Sequence, residues 1–297
     1  MTTGWNPHPP QSGRPPAEHL PELDVPPPGR QRRWTVLLRF LLLLPQFIVT
    51  ALLGIAAFFV TVVGWFAALF TGRLPAGIAD FLGGYLAYET RVTTSAMLLV
   101  DHYPPFSFDG QGHPARIELR PGELNRLAVL FRIVLMIPAA IVTSLLQYGL
   151  AAVSWVFWLI TLVLGRMPVP VFGAVAAVVR FRMRYQAYVM MLTSAYPKRL
   201  FGDGPPAGQP LTPGPAQAPA APLPPVAPSA PAAPSATRPL LLGTPAKVLV
   251  VLMLVLGLLG TGVSQTVQLR QERWDSGAAA AAAAAVRGAA TAPIRTS

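Results

Sequence analysis

The sequence predicts an all-α, multi-pass membrane protein built from two tandem helical modules and one additional C-terminal transmembrane helix, with a disordered Pro-rich arm and linker. Three observations lead there. Of the 297 residues, 53% are hydrophobic and only 12% are charged, about half the charged fraction of an average soluble domain, so lipid is the better solvent. The apolar residues gather in runs long enough to cross a hydrocarbon core of about 30 Å. One pattern of about seventy residues is also written twice.

Residues 1–30 are polar and proline-rich with no apolar period, the composition of a disordered arm. They do not make a secretory signal, because the first apolar run starts only after Arg30, Arg32 and Arg33. The N-terminus is therefore expected in the cytoplasm and the protein in the plasma membrane. Module copy one occupies 31–109. From Trp34 to Phe70 it is apolar apart from Arg39, Gln46 and small hydroxyls, and as one helix it would be about 55 Å long. The expectation is an interfacial first turn, a kink at Pro45 and a long tilted span over 46–70. A tight hairpin around Gly54, flanked by Arg33 and Arg73, is the alternative. Thr71-Gly72-Arg73-Leu74-Pro75 stops the run. Over 76–101, Asp80, Gly84, Arg91 and Ser95 recur at helical spacing and form a polar stripe. The stretch ends at Asp101-His102-Tyr103-Pro104-Pro105-Phe106, where prolines forbid continuation.

Adding 93 to a position in copy one reaches its counterpart in copy two, 125–203, without a gap. Arg39 falls on Arg132, Pro45 on Pro138, Trp65 on Trp158, Gly72-Arg73 on Gly165-Arg166, Pro75 on Pro168, Arg91 on Arg184, and Tyr103-Pro104 on Tyr196-Pro197. Chance does not preserve that many Arg, Trp, Pro and Gly. Between the copies, 110–124 is a polar connector with room for one extended segment, too small for a domain. A Pro/Ala-rich linker over 204–245 precedes the apolar helix 246–264, which meets the lower limit for a span. The low-complexity tail, 265–297, carries Arg270, Glu272, Arg273 and Trp274 before its alanines and reads as a short interfacial helix that fades out.

The segments RWTVLLRFLLLLPQF, WFAALFTGRLP and LLVDHYPPFSF resemble the actinobacterial membrane family called domain of unknown function 4389. The resemblance covers 32–109 and 125–203, and the first copy matches closely. The second departs from it: Asp101 becomes Ser194, Pro105 becomes Lys198, and Arg180 and Arg182 join Arg184. The resemblance implies an integral membrane location and no activity.

The net charge of +11 rests on arginine, with Lys198 and Lys247 the only lysines. These arginines border apolar runs instead of clustering on a soluble face, which favours anionic lipid headgroups over nucleic acid. Arg39, Arg73, Arg91, Arg132, Arg166 and Arg184 are the candidate lipid-headgroup or partner contacts. Arg91 and Arg184 sit mid-helix, where an unpaired charge in lipid is costly. Helices lying flat at the interface would let them touch phosphates, and the run Arg180, Arg182, Arg184 favours that placement for copy two. Asp80 or Glu89 could pair with Arg91, but Glu89 is two residues away and on the wrong face. Trp65, Trp158, Tyr103 and Tyr196 fit interfacial anchors.

Without cysteine there is no disulfide, thiolate metal site or cysteine nucleophile. Asp101, His102 and Tyr103 could imitate a proton-handling cluster, yet Asp101 and His102 have no counterpart in copy two. No phosphate loop, nucleophile elbow or metal-spaced histidine pair is present. The expectation is a non-enzyme with no cofactor and no metal: a membrane scaffold or accessory protein that binds anionic lipids, a membrane-protein partner or a second copy of itself. A small transporter or channel subunit is the competing class, with its site at the repeat interface. The shortage of paired polar groups in the spans argues against it. A lipid-modifying enzyme ranks third.

Overall fold

A computed structural model describes residues 20–119, 124, 126–203, 235–262, 274 and 276–277. The chain is mostly helical. In order it forms β1 (Glu22–Asp24), α1 (Arg33–Leu37), α2 (Arg39–Thr71), α3 (Ala76–Ala96), β2 (Arg116–Glu118), α4 (Arg126–Leu164) and α5 (Val169–Val189), then α6 (Thr244–Gly262). Three of these helices, α2, α4 and α6, are long and apolar enough to cross a membrane.

The repeat of 93 extends to the backbone. Together α1 and α2 match α4 end for end, and α3 matches α5. Each long helix stops at a glycine in the left-handed region, Gly72 (φ 75°) and Gly165 (φ 68°), where a Cβ would be strained. Just past α3 and α5 a bulky residue adopts the same conformation in both copies, Leu98 (φ 60°) and Met191 (φ 58°). Identical hydrogen bonds hold it, Leu98 N to Ser95 O in one copy and Met191 N to Tyr188 O in the other. A conformation disfavoured for such side chains is thus imposed by the fold.

Several expectations change. The break in the first helix lies at Leu38 (φ −93°, ψ 9°), and α2 runs on through Pro45. Only one backbone donor is lost there, near the helix start, so continuation is cheap. Gly54 sits inside α2 against the Tyr85 hydroxyl, which excludes the hairpin. The arm is packed from residue 20 onward: Leu23 and Val25 are fully buried, and β1 pairs antiparallel with β2, the extended segment expected in the connector. The linker docks over 235–243, where Thr237 Oγ1 donates to Leu23 O and Leu240 is buried. The rest of the arm and linker, and all of the tail except Trp274, Ser276 and Gly277, lie outside the described residues.

Three layers result. In α2 only a narrow stripe (Arg39, Leu43, Gln46, Ala57, Gly64, Ala68) is buried, while Phe58, Phe59 and Leu52 are each more than 60% exposed. α4 is built alike. These helices and α6 form an apolar outer layer. α3 and α5 pack behind as the middle layer, buried over nearly their whole C-terminal halves. The third layer is chain that turns back along them: Arg91 reaches Ser107 and Phe108, and Arg184 reaches Lys198. Its surface is polar, with Asp109, Gln111 and Arg116 exposed.

The two copies face each other across a pseudo-two-fold axis. Trp65, late in α2, donates its Nε1–H to Val129 O, early in α4, at 3.1 Å; Trp158, late in α4, donates to Val36 O in α1 at 2.8 Å. Both tryptophans and both acceptors are 93 residues apart, so the contact is isologous, as in a symmetric dimer. α2 and α4 therefore run antiparallel, and the axis stands normal to the layers.

Candidate functional site

Four of the six candidate arginines are buried and committed to the chain itself. Arg39, 4% exposed, pairs with Asp101 at 2.6 Å. Arg132, 3% exposed, donates to Thr193 O at 2.8 Å and lies over the Tyr188 ring at 4.1 Å. Arg91 donates to Ser107 O at 2.5 Å and Phe108 O at 3.0 Å. Arg184 donates to Pro21 O at 2.9 Å and Lys198 O at 3.2 Å. The expectation of headgroup contact is corrected for these four, because the returning connectors cover the helix face they occupy. An arginine fork spans several carbonyls at once, so here it ties extended chain to a helix. Gly110 shows how tightly: a Cβ there would lie 1.6 Å from Arg91 Nη1. Burial pushes the Arg184 guanidinium down to about 10, which leaves it cationic at neutral pH.

A second polar group sits on the axis. Glu89, buried, accepts from Arg182 Nη2 and, at 2.6 Å, from Gln186 Nε2. With its amide oxygen turned inward, Gln147 accepts from Arg182 Nη1 at 3.1 Å and Nε at 3.0 Å. Glu89 and Arg182 occupy the same repeat position, which is why they meet on the axis. In the sequence Glu89 is weighed only against Arg91 and lies on the wrong face for it, so this pair is missed; the register itself, with opposite charges 93 apart, was the available signal. A nearby apolar cleft of about 160 Å³ is lined by Gln147, Phe40, Trp158 and Met167 among others, but by neither Glu89 nor Arg182.

The remaining candidates, Arg73 and Arg166, are exposed at the ends of the apolar layer. Arg166 shares a cleft of about 540 Å³ with Arg30, Gln31, Arg33, Leu164 and Gly165. Trp65 and Trp158 act as inter-copy hydrogen-bond donors, while Tyr103 is exposed beside Phe106. Asp101 is occupied by Arg39 and Thr35, and no group of three His, Asp or Glu able to hold a metal occurs among the described residues.

Comparison with curated proteins and with solved structures finds no match. The family model described as domain of unknown function (DUF4389) matches residues 33–107 and 126–200. Those limits coincide with the two symmetric halves, from α1 to the first connector and from α4 to the second. The chain belongs to the DUF4389 family and carries its domain twice.

Proposed function

We propose that this protein is a non-catalytic scaffold or accessory protein of the cell membrane, held in lipid by its apolar layer and drawn to anionic headgroups by the arginines at the ends of that layer. The observation that carries the reading is the division of labour among the arginines. Those inside the fold are spent on their own connectors. Those at the rim are exposed beside large apolar side chains, with no carboxylate partner among the described residues. That combination suits an interface of hydrocarbon and phosphate. In this reading the N-terminus lies on the cytoplasmic side, a side favoured by Arg30, Arg32 and Arg33 ahead of the first apolar helix.

The absence of native cysteine makes thiol labelling a clean test. Phe58→Cys should stay silent to a membrane-impermeant maleimide, whereas Asp109→Cys should react. Reaction of Phe58→Cys in intact membranes would remove the apolar layer from lipid. Because α2 and α4 are antiparallel, Arg73→Cys and Arg166→Cys also report how the layer sits. They label from opposite sides if these helices cross the bilayer. They label from one side, with Asp109→Cys, if the layer lies along one leaflet, the placement that keeps the connectors in water.

A second reading, a transporter or channel subunit, gains support from the Glu89–Arg182 pair, an ionisable pair at a repeat interface. A proton or ion flux in proteoliposomes that Glu89→Gln abolishes, with the fold intact, would install it.

A further inference from the structure

The cleft at the C-terminal end of α4 is assembled by backbone. Gln31 N–H donates to Gly165 O at 2.8 Å, and Arg30 and Arg166 form an isolated antiparallel bridge. This holds the segment before α1 against the Gly-Arg turn after α4 and brings Arg30, Arg33 and Arg166 around one opening. All three are exposed, and among the described residues no carboxylate pairs with any of them. Arg33 Nη2 donates to Val163 O at 3.2 Å. That bond answers one of the open carbonyls at the end of α4 and offsets the negative end of the helix dipole, so the field in the cleft stays positive. Beside it Leu164, Leu37 and Trp34 are exposed at 54%, 43% and 76%.

We infer that this cleft binds the phosphodiester of an anionic lipid headgroup, with the acyl chains lying along the exposed apolar residues of α1 and α4. Three guanidinium forks facing one opening match the three-dimensional set of oxygens on a phosphate better than a planar carboxylate or a single ion pair requires. The apolar flank selects a lipid over free phosphate. The inference rests on the membrane reading above and names its ligand site. It also predicts a ranking between the copies. Arg73 and Arg126 are the counterparts of Arg166 and Arg33, and Gly72 packs against Arg126 as Gly165 packs near Arg33. Arg30, however, corresponds in the repeat to Glu123, an acidic residue in place of a cation. Among the described residues the copy-one end therefore has two guanidinia against three and should bind more weakly.

The test is native mass spectrometry of the full chain in neutral detergent, titrated with phosphatidylglycerol, with phosphatidylcholine, and with inorganic phosphate as competitor. Wild type should take up phosphatidylglycerol in preference to phosphatidylcholine. Arg30→Ala/Arg166→Ala should weaken the tightest site at least tenfold, Arg73→Ala/Arg126→Ala should cost a few-fold, and Arg30→Lys/Arg166→Lys should recover part of the loss. Circular dichroism identical to wild type guards against misfolding. Unchanged binding in Arg30→Ala/Arg166→Ala overturns the site while leaving the membrane reading standing. No preference for the anionic lipid in wild type overturns the headgroup part of that reading as well. Displacement of the lipid by millimolar inorganic phosphate would overturn the lipid as the source and identify free phosphate as the ligand.

Discussion

In copy one, the guanidinium near the start of the long helix meets a carboxylate, Arg39 on Asp101; in copy two, its counterpart Arg132 meets the Tyr188 ring and a carbonyl. Other pairs change together in the same way. Gln46, which accepts from Tyr88 and donates to Pro104 O at 2.7 Å, corresponds to Ala139, and Tyr88 corresponds to Phe181. Gly54, which lies against Tyr85, corresponds to Gln147, and Tyr85 to Val178. At Gln46 and Tyr88 a polar pair is thus replaced as a set by an apolar pair, because half of such a pair left alone is worse than either whole. The backbone changes little: the left-handed residue after α3 and α5 is kept, and only the break at Leu38 between α1 and α2 has no counterpart in the continuous α4. What separates the copies is how the interior is filled and how each meets its partner.

The sharpest difference lies on the axis, where copy one contributes Glu89 and copy two Arg182. A symmetric pair of identical modules would place like charges together there, so this position specifies that copy one pairs with copy two. Glu89→Arg should destabilise the full chain by about 3–5 kcal/mol, the usual cost of a buried charge that has lost its partner. The exchange Glu89→Arg/Arg182→Glu should restore most of it. Thermal unfolding in detergent would show the pattern, and an equally damaging double exchange would remove the axis pair as the specifying contact.

The contact with α6 distinguishes the copies next. A Cβ on Gly149 would lie 1.7 Å from Met253 O, and one on Gly257 1.9 Å from Leu145 O, so α4 and α6 touch backbone to backbone. The counterpart of Gly149 is Ala56, which is exposed. Gly149→Leu should cost about 1–3 kcal/mol by overpacking and free α6 to proteolysis near residue 240, while Ala56→Leu should do neither. Equal protease resistance in both variants would break this distinction.

Within copy one, Gln46→Ala alone removes the acceptor of the buried Tyr88 hydroxyl and should cost about 1–3 kcal/mol, whereas Gln46→Ala/Tyr88→Phe, which imitates copy two, should cost less than the single change. A double-mutant cycle by denaturant unfolding measures the difference. Additive losses would mean that the two side chains act separately.

Much of this was legible in the sequence. The repeat of 93 marked the plan of each module, because Gly, Pro, Arg and Trp at fixed offsets mark helix stops and anchors, but it put the first break at Pro45 instead of Leu38. The apolar content of Trp34–Phe70 identified a helix long and apolar enough to cross a membrane. The destination of the arginines was not legible. A sequence shows that Arg91 is mid-helix, but not that residues 107–108 fold back over it, since that contact depends on where a proline-rich connector travels. The packing of Leu23, Val25 and Thr237 was hidden for the same reason: single apolar residues in proline-rich stretches carry no periodicity. The antiparallel docking of the copies lay in between, since opposite charges 93 apart hinted at it without giving its geometry.

The smallest effect belongs to a group that only the copy-one connector supplies. His113 is buried, with Nδ1 accepting from Ala115 N at 3.1 Å. Burial, aided by the nearby charges of Arg91 and His102, pushes it down to about 4 from its ordinary value of 6.5. The unfolded chain thus binds a proton between pH 6.5 and 4 that the folded chain refuses. Neutral His113 contributes its full stability above pH 6.5, and that contribution is lost as the pH falls through this window. By pH 5.5 the loss should be about 1 kcal/mol, since one pH unit is worth about 1.4 kcal/mol per proton. His113→Asn keeps an acceptor for Ala115 and cannot titrate, so its unfolding curve should be flatter than wild type from pH 7 to 5. Parallel curves would show that acid acts on groups shared by both copies, and would remove this connector as a source of difference between them.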